Sequence, residues 1–243
     1  MYREKTWIYG NRIEKRKYHC REYPGKGMKR APREKLTPEK MQEQNERQAI
    51  RKMKRLMINN FTEDDWHVIL TWPDETRPDP EEEKGIMQRF LRRLRAYYRK
   101  MTAELKYMMV TEWEKQKLNH HVVLNNVEKI GSIIRKLWPG GVFFVPLYED
   151  RNFEGLAAYM VKESRETYRK EGTPWRQRYT CSRNLKKPEV HVRTVKADSW
   201  REEPKLPDSL RLKGYVLDKQ SVVTGFDNAG YPFQEYCFVK YRD

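Results

Sequence analysis

Two short runs of chain limit what this sequence can fold into more than anything else in it. Tyr107-Met108-Met109-Val110-Thr111-Glu112-Trp113 and Leu118-Asn119-His120-His121-Val122-Val123-Leu124 are rich in β-branched and large apolar residues, and only the polar residues Glu114-Lys115-Gln116-Lys117 separate them. That pattern predicts a β-hairpin. Two further short runs read as buried strands: Trp66-His67-Val68-Ile69-Leu70-Thr71-Trp72, stopped by Pro73, and Val142-Phe143-Phe144-Val145-Pro146-Leu147, which follows Pro139-Gly140-Gly141. Helical periodicity fills the spaces between them. Thr37-Pro38-Glu39 starts a helix that runs to about Met57, with Met41, Ile50, Met53 and Met57 as its inward residues. A second helix carries Ile86, Phe90, Leu94 and Tyr97 on one face, after the acidic turn Glu81-Glu82-Glu83. Asn126 caps a third, with Val127, Ile130, Ile133, Ile134 and Leu137 as its apolar set; Asp150 or Asn152 starts a fourth. Strand, helix, hairpin, helix, strand, helix predicts an α+β domain, a central antiparallel sheet with helices packed on it.

Charge divides the chain unevenly. Of 51 Lys+Arg and 35 Asp+Glu, residues 1–60 hold 18 and 7, so +11 of the net +16 lies in the first quarter. Tyr2, Trp7, Tyr9, Tyr18 and Tyr23 are interleaved with that charge, and Pro24-Gly25-Lys26-Gly27 breaks it. Cations beside flat rings suit a phosphate backbone carrying unstacked bases. Arg12, Lys15, Arg16 and Lys17 are therefore expected to bind DNA from a basic N-terminal arm. Arg178, Arg183, Lys186 and Lys187 are expected to do so from the basic segment around Tyr179–Lys187. The expected organisation is an arm and helix over 1–58, a catalytic domain over 59–190, and a β-rich C-terminal extension over 191–243. No run approaches 18 apolar residues, the length a membrane span needs. Cys20, Cys181 and Cys237 are odd in number and far apart, which excludes a disulfide framework and fits the cytoplasm.

The hairpin places chemistry as well as backbone. Residues two apart on a strand share a face, so Asn119 and His121 point one way and His120 the other. The polar turn brings Glu112 on the partner strand near the register of Asn119 and His121. A carboxylate, an imidazole and an amide oxygen suit Mg²⁺ or Mn²⁺ better than a closed zinc site, because they leave room for water and phosphate. The same residues also suit an ordinary sheet whose histidines fill its interior. On the fourth helix Tyr159 and Lys162 lie about 60° apart around the axis, away from Phe153, Leu156, Ala157 and Met160. A phenol with a cation beside it can serve as a nucleophile toward phosphorus.

Glu112, the Asn119-His120-His121-Val122-Val123-Leu124 strand and Tyr159-Met160-Val161-Lys162, in that order, resemble the HUH endonucleases. Within them the chain is most similar to the rolling-circle replication initiators of phages, plasmids and mobile elements. The resemblance runs from about Asn60 to Pro188. It takes in Val68-Ile69-Leu70-Thr71-Trp72, Phe90-Leu91-Arg92-Arg93-Leu94 and the basic Tyr179–Pro188 segment. It implies an RRM-like sheet, Tyr159 as a single catalytic tyrosine, Lys162 as its phosphate-side partner, and Glu112 and His121 as metal ligands. The chain departs from the family at Asn119, where a first histidine is usual. Either the Asn119 amide oxygen takes that place, or His120 does through a shifted register, or the nickase is weak. The implied reaction nicks and religates single-stranded DNA or an origin hairpin by metal-dependent transesterification, leaving a 5′-phosphotyrosine and a free 3′-hydroxyl. No GxxxxGK[ST] phosphate loop is present, so a host helicase and DNA polymerase are implied partners. A non-catalytic DNA- or RNA-binding protein on the same fold, or the same chemistry serving transposition or mobilisation, uses the same charge.

Overall fold

The structure, a computed structural model, describes residues 1–20, 37–114, 117–147, 153–196, 203–227 and 230–240. Tyr23, the Pro24–Gly27 break, the Lys115-Gln116 turn and the Asp150 and Asn152 helix starts lie outside them. In chain order the elements are β1 (Tyr2–Tyr9), β2 (Arg12–His19), α1 (Pro38–Asn60), β3 (Trp66–Thr71), α2 (Pro80–Lys100), β4 (Tyr107–Glu114), β5 (Lys117–Leu124), α3 (Ile130–Leu137), β6 (Gly141–Pro146), α4 (Glu154–Glu163), β7 (Thr180–Cys181), β8 (Glu189–Val195), α5 (Asp208–Arg211), β9 (Tyr215–Phe226) and β10 (Pro232–Lys240). They form two compact units, Met1–Thr37 with Lys187–Asp243, and Pro38–Lys186. No described helix is long and apolar enough to cross a membrane.

The Pro38–Lys186 unit is α+β, as the alternation of elements requires. Its antiparallel sheet has the order β6-β3-β5-β4-β7. Across the three middle strands Leu70, His120 and Thr111 share one level on one face, while Thr71, Asn119 and Glu112 share a level on the other. The first face carries Val68, Leu70, Val122, Leu124, Tyr107 and Met109 into a core with α2 and α3. α2 starts where Asp79 accepts hydrogen bonds from the backbone N–H of Glu81 and Glu82, and Arg99 and Lys100 close it at the end where cations are favoured. Its buried stripe is Met87, Phe90, Leu91, Leu94 and Tyr98, which rotates the expected face by about one residue toward Met87 and Tyr98. Burying each such side chain contributes roughly 1.5–3 kcal/mol.

α4 packs against β4, and α1 packs against α4. Met53 and Met57 of α1 and Ala157 and Met160 of α4 are buried, whereas Met41 is exposed. Ion pairs Lys54–Glu154 (2.6 Å) and Arg165–Glu46 (2.7 Å) join α1 to α4 and to the residues just beyond it. β6 is an edge strand rather than a buried one: Phe143 is 59% exposed, because β3 covers only one side of it. The approach to β6 requires glycine, since a Cβ on Gly140 would sit 2.0 Å from the Thr71 carbonyl oxygen. α3 begins at Ile130, later than expected; Asn126 instead accepts a hydrogen bond from Trp66 Nε1.

The other unit corrects the picture of a loose N-terminal arm. β1 and β2 form a hairpin around Gly10, whose φ of +50° favours a residue without a Cβ. This hairpin sits inside an antiparallel sheet of order β8-β1-β2-β10-β9. Ile13, Tyr236 and Phe238 form its core, with Ile8, Leu206, Leu210, Tyr215, Leu217 and Val222 packed around them. The first strands are thus paired with strands from the C-terminal end of the chain. The expected division into arm and extension gives way to one sheet built from both.

Candidate functional site

The face of the β6-β3-β5-β4-β7 sheet opposite the α2–α3 core gathers the polar side chains. Glu112 of β4 and Asn119 of β5 are register partners, and Asn119 Nδ2 donates to Glu112 Oε2 at 3.0 Å. One pleat along β5 on the same face, His121 places Nε2 3.7 Å from Glu112 Oε2, within ion-pair reach but too far for a hydrogen bond. That nitrogen is buried and has no hydrogen-bond partner. The His121 imidazole and the Asn119 amide hold the Glu112 carboxyl down to about 2, against burial that raises it.

α4 brings the fourth residue. Tyr159 projects from this helix with its ring edge-on to His121, centroids 5.0 Å apart at 87°. The residue is 41% exposed although its helix neighbours Ala157 and Met160 are fully buried, so the phenol faces solvent from the wall of the site. Burial, then Glu163 and Glu112, raise its pKa above that of free tyrosine. Glu163 follows one turn after Tyr159, and burial and Glu112 raise its pKa in turn. Lys162, between them, is exposed. Tyr168 is engaged elsewhere, its hydroxyl accepting from Arg178 Nη2 at 2.6 Å.

Residues 65–166 match the family model of the replication-associated protein of the ORF2 type. The span runs from just before β3 to just past α4, so it contains every side chain named in this site. The match associates the chain with DNA replication. No curated protein and no solved structure matches the chain.

His120 has a different place. It lies on the opposite face, where Nδ1 is 2.9 Å from Thr111 Oγ1 and Nε2 is 2.5 Å from Glu83 Oε1 of α2. Trp138 and Trp175 flank its ring, and both His120 and Glu83 are fully buried. The register of β5 therefore separates His120 from Glu112 and Tyr159, and leaves the alternative with Asn119 beside them.

Sequence reasoning missed His67. β3 pairs with β5 so that Ile69 opposes His121, which sets His67 diagonally beside it on the same face. His67 Nε2 is 3.3 Å from His121 Nδ1, and its ring is 6.4 Å from that of Tyr159. Burial, reinforced by His121, lowers its pKa to about 4. The signal was present in the two-residue alternation of Trp66–Thr71, but the neighbour of that strand was not.

The fit to a divalent cation rests on His121 Nε2. A buried imidazole nitrogen left unpaired beside a carboxylate is costly unless something binds there. Among the described residues no group of three or more His, Cys, Asp or Glu side chains is arranged as a metal centre. Glu112 and His121 make two such donors and Asn119 adds an amide, a sparse set that suits a hard ion retaining water.

The expected DNA-binding residues are dispersed. Arg12 and Arg16 alternate with Lys15 and Lys17 on opposite faces of β2. Lys15 pairs with buried Glu4 at 3.3 Å and Arg16 with Glu235 at 3.0 Å, and Arg16 also lies over the Tyr18 and Phe233 rings. Arg183, Lys186 and Lys187 are exposed. The Lys186 backbone is held by Asn60, whose side chain accepts from its N–H at 2.7 Å and donates to its carbonyl at 2.8 Å.

Proposed function

We propose that the protein is a rolling-circle replication initiator that nicks and religates single-stranded DNA by transesterification at Tyr159. The observation that carries this reading is the edge-on approach of the Tyr159 ring to His121, beside Glu112 and Asn119. A tyrosine hydroxyl at a solvent-facing wall can reach a bound phosphodiester that a buried one could not. Tyr159 Oη attacks phosphorus, the P–O3′ bond breaks, and O3′ takes up a proton as the phenol loses one. The products are a 5′-phosphotyrosine and a free 3′-hydroxyl. One ester replaces another, so religation by the reverse attack needs no nucleotide triphosphate.

Glu112, Asn119 and His121 would hold Mg²⁺ or Mn²⁺. That ion, when bound, supplies positive charge to a non-bridging phosphate oxygen and offsets the carboxylates that disfavour the phenolate. Lys162, exposed one helical turn from Tyr159, is placed to meet the phosphate from the solvent side. Arg183 and Lys187, with Arg12 on the other unit, supply the cations that would hold the strand; such contacts position DNA without choosing its sequence. The free 3′ end can prime a polymerase, which with a helicase would come from the host.

The test uses a labelled library of single-stranded oligonucleotides with Mn²⁺ and a denaturing gel. The native protein is expected to retain label covalently, and Tyr159→Phe to bind the library without retaining any. Equal labelling of both proteins contradicts the role of Tyr159; binding by both with no adduct from either points to a DNA-binding protein without the chemistry.

A further inference from the structure

His67 shares no role with the ligand set above, yet it makes the closest polar contact to His121, 3.3 Å from Nε2 to Nδ1. One ring proton must lie between these two nitrogens, and its owner decides what His121 can do. If His67 donates, the His121 proton sits on Nε2 and that atom has no lone pair for a cation. If His121 donates from Nδ1, its Nε2 lone pair is free and directed at Glu112. The unpaired state of His121 Nε2, buried beside a carboxylate oxygen, agrees only with the second arrangement. His67 is well suited to enforce it. Strand pairing fixes its backbone, the site residues His121 and Tyr159 flank its ring, and it is itself buried.

We propose that His67 is a positioning residue: it accepts the His121 Nδ1–H on its own Nε2, and thereby fixes the tautomer and orientation in which His121 Nε2 faces a divalent cation. Outer partners of this kind are usually carboxylates, carbonyls or water, and losing one typically costs 10–100-fold in metal affinity. Here the acceptor is a second imidazole, from the strand next door. The inference rests on the cation site proposed above, and it concerns how that site is held ready.

The experiment uses the full chain without DNA. Long-range ¹H–¹⁵N spectra of histidine-labelled protein report the His121 tautomer, and titration with Mn²⁺ alone reports affinity. The native protein is expected to show His121 protonated on Nδ1. His67→Leu should lose that tautomer and bind Mn²⁺ about 10–100-fold more weakly, while His67→Gln, whose amide oxygen can stand where Nε2 stood, should stay within about three-fold of native. An Nε2-protonated His121 in the native protein overturns the proposal, as does near-native Mn²⁺ affinity in folded His67→Leu. Direct Mn²⁺–nitrogen coupling assigned to His67 overturns it as well, by making His67 a ligand. Should His67→Leu not fold, His67→Gln decides alone: near-native affinity and tautomer support the proposal, and a loss of about ten-fold or more ends it. Neither readout involves DNA cleavage. Native protein that binds Mn²⁺ with the stated tautomer but forms no covalent DNA adduct would remove the nickase reading and leave this one intact.

Discussion

His120 and His121 are neighbours in sequence and opposites in circumstance. His120 is fully satisfied between Thr111 and Glu83 and walled by tryptophans, whereas His121 keeps one buried nitrogen unpaired beside Glu112, with Tyr159 across from it. A single peptide unit separates them, and the strand pleat sends one into the core and the other into the site. The contrast teaches that a buried histidine is informative through its unmet bonds. A complete network spends its polarity on stability; an incomplete one is open to a ligand.

That contrast can be broken by substitution. The largest effect belongs to Tyr159→Phe, which should abolish covalent DNA capture altogether while leaving single-strand affinity within about two-fold, measured by adduct formation and by fluorescence anisotropy. Next, His121→Ala should lower the cleavage rate by about 10²–10³-fold with little change in unfolding free energy. His120→Ala should do the reverse. It strands the buried Glu83 carboxylate, so chemical denaturation should show a loss of about 3–5 kcal/mol, while cleavage per folded molecule stays near native. If His120→Ala cuts activity without loss of stability, the two faces are not separate. The smallest effect is expected from Arg183→Gln with Lys187→Gln: DNA affinity should fall modestly, and the slope of log K against log salt should flatten by about one for each phosphate no longer neutralised. Lys15→Gln instead leaves Glu4 with Arg193 as its remaining cation partner among the ion pairs described, so its cost should appear in stability before binding.

Much of this was legible in the chain. Period-two alternation in the hairpin was enough to put Asn119 and His121 on one face and His120 on the other, and the polar turn fixed Glu112 opposite Asn119. Helical spacing separated Tyr159 from Ala157 and Met160. What could not be read was pairing across distance. His67 becomes relevant only because β3 lies beside β5 in one register, and nothing local to Trp66–Thr71 specifies that neighbour. The N-terminal strands were hidden by their charge: Tyr2, Glu4, Thr6 and Ile8 alternate as a strand should, but Glu4 is buried through Lys15 and Arg193, the latter almost the whole chain away. The burial of Glu83 in α2 was equally illegible, since an acidic first turn ordinarily faces water, and its partner His120 arrives from another element.

The central claim is that the Tyr159 hydroxyl becomes bonded to DNA. Protein incubated with single-stranded DNA and Mn²⁺, quenched, treated with nuclease and protease, and sequenced by tandem mass spectrometry reads this directly. The expected result is a nucleotide mass on Tyr159, joined through a 5′-phosphate. A nucleotide on Tyr168 or any other residue, or unmodified Tyr159 peptide from DNA that has nonetheless been cut, would contradict it.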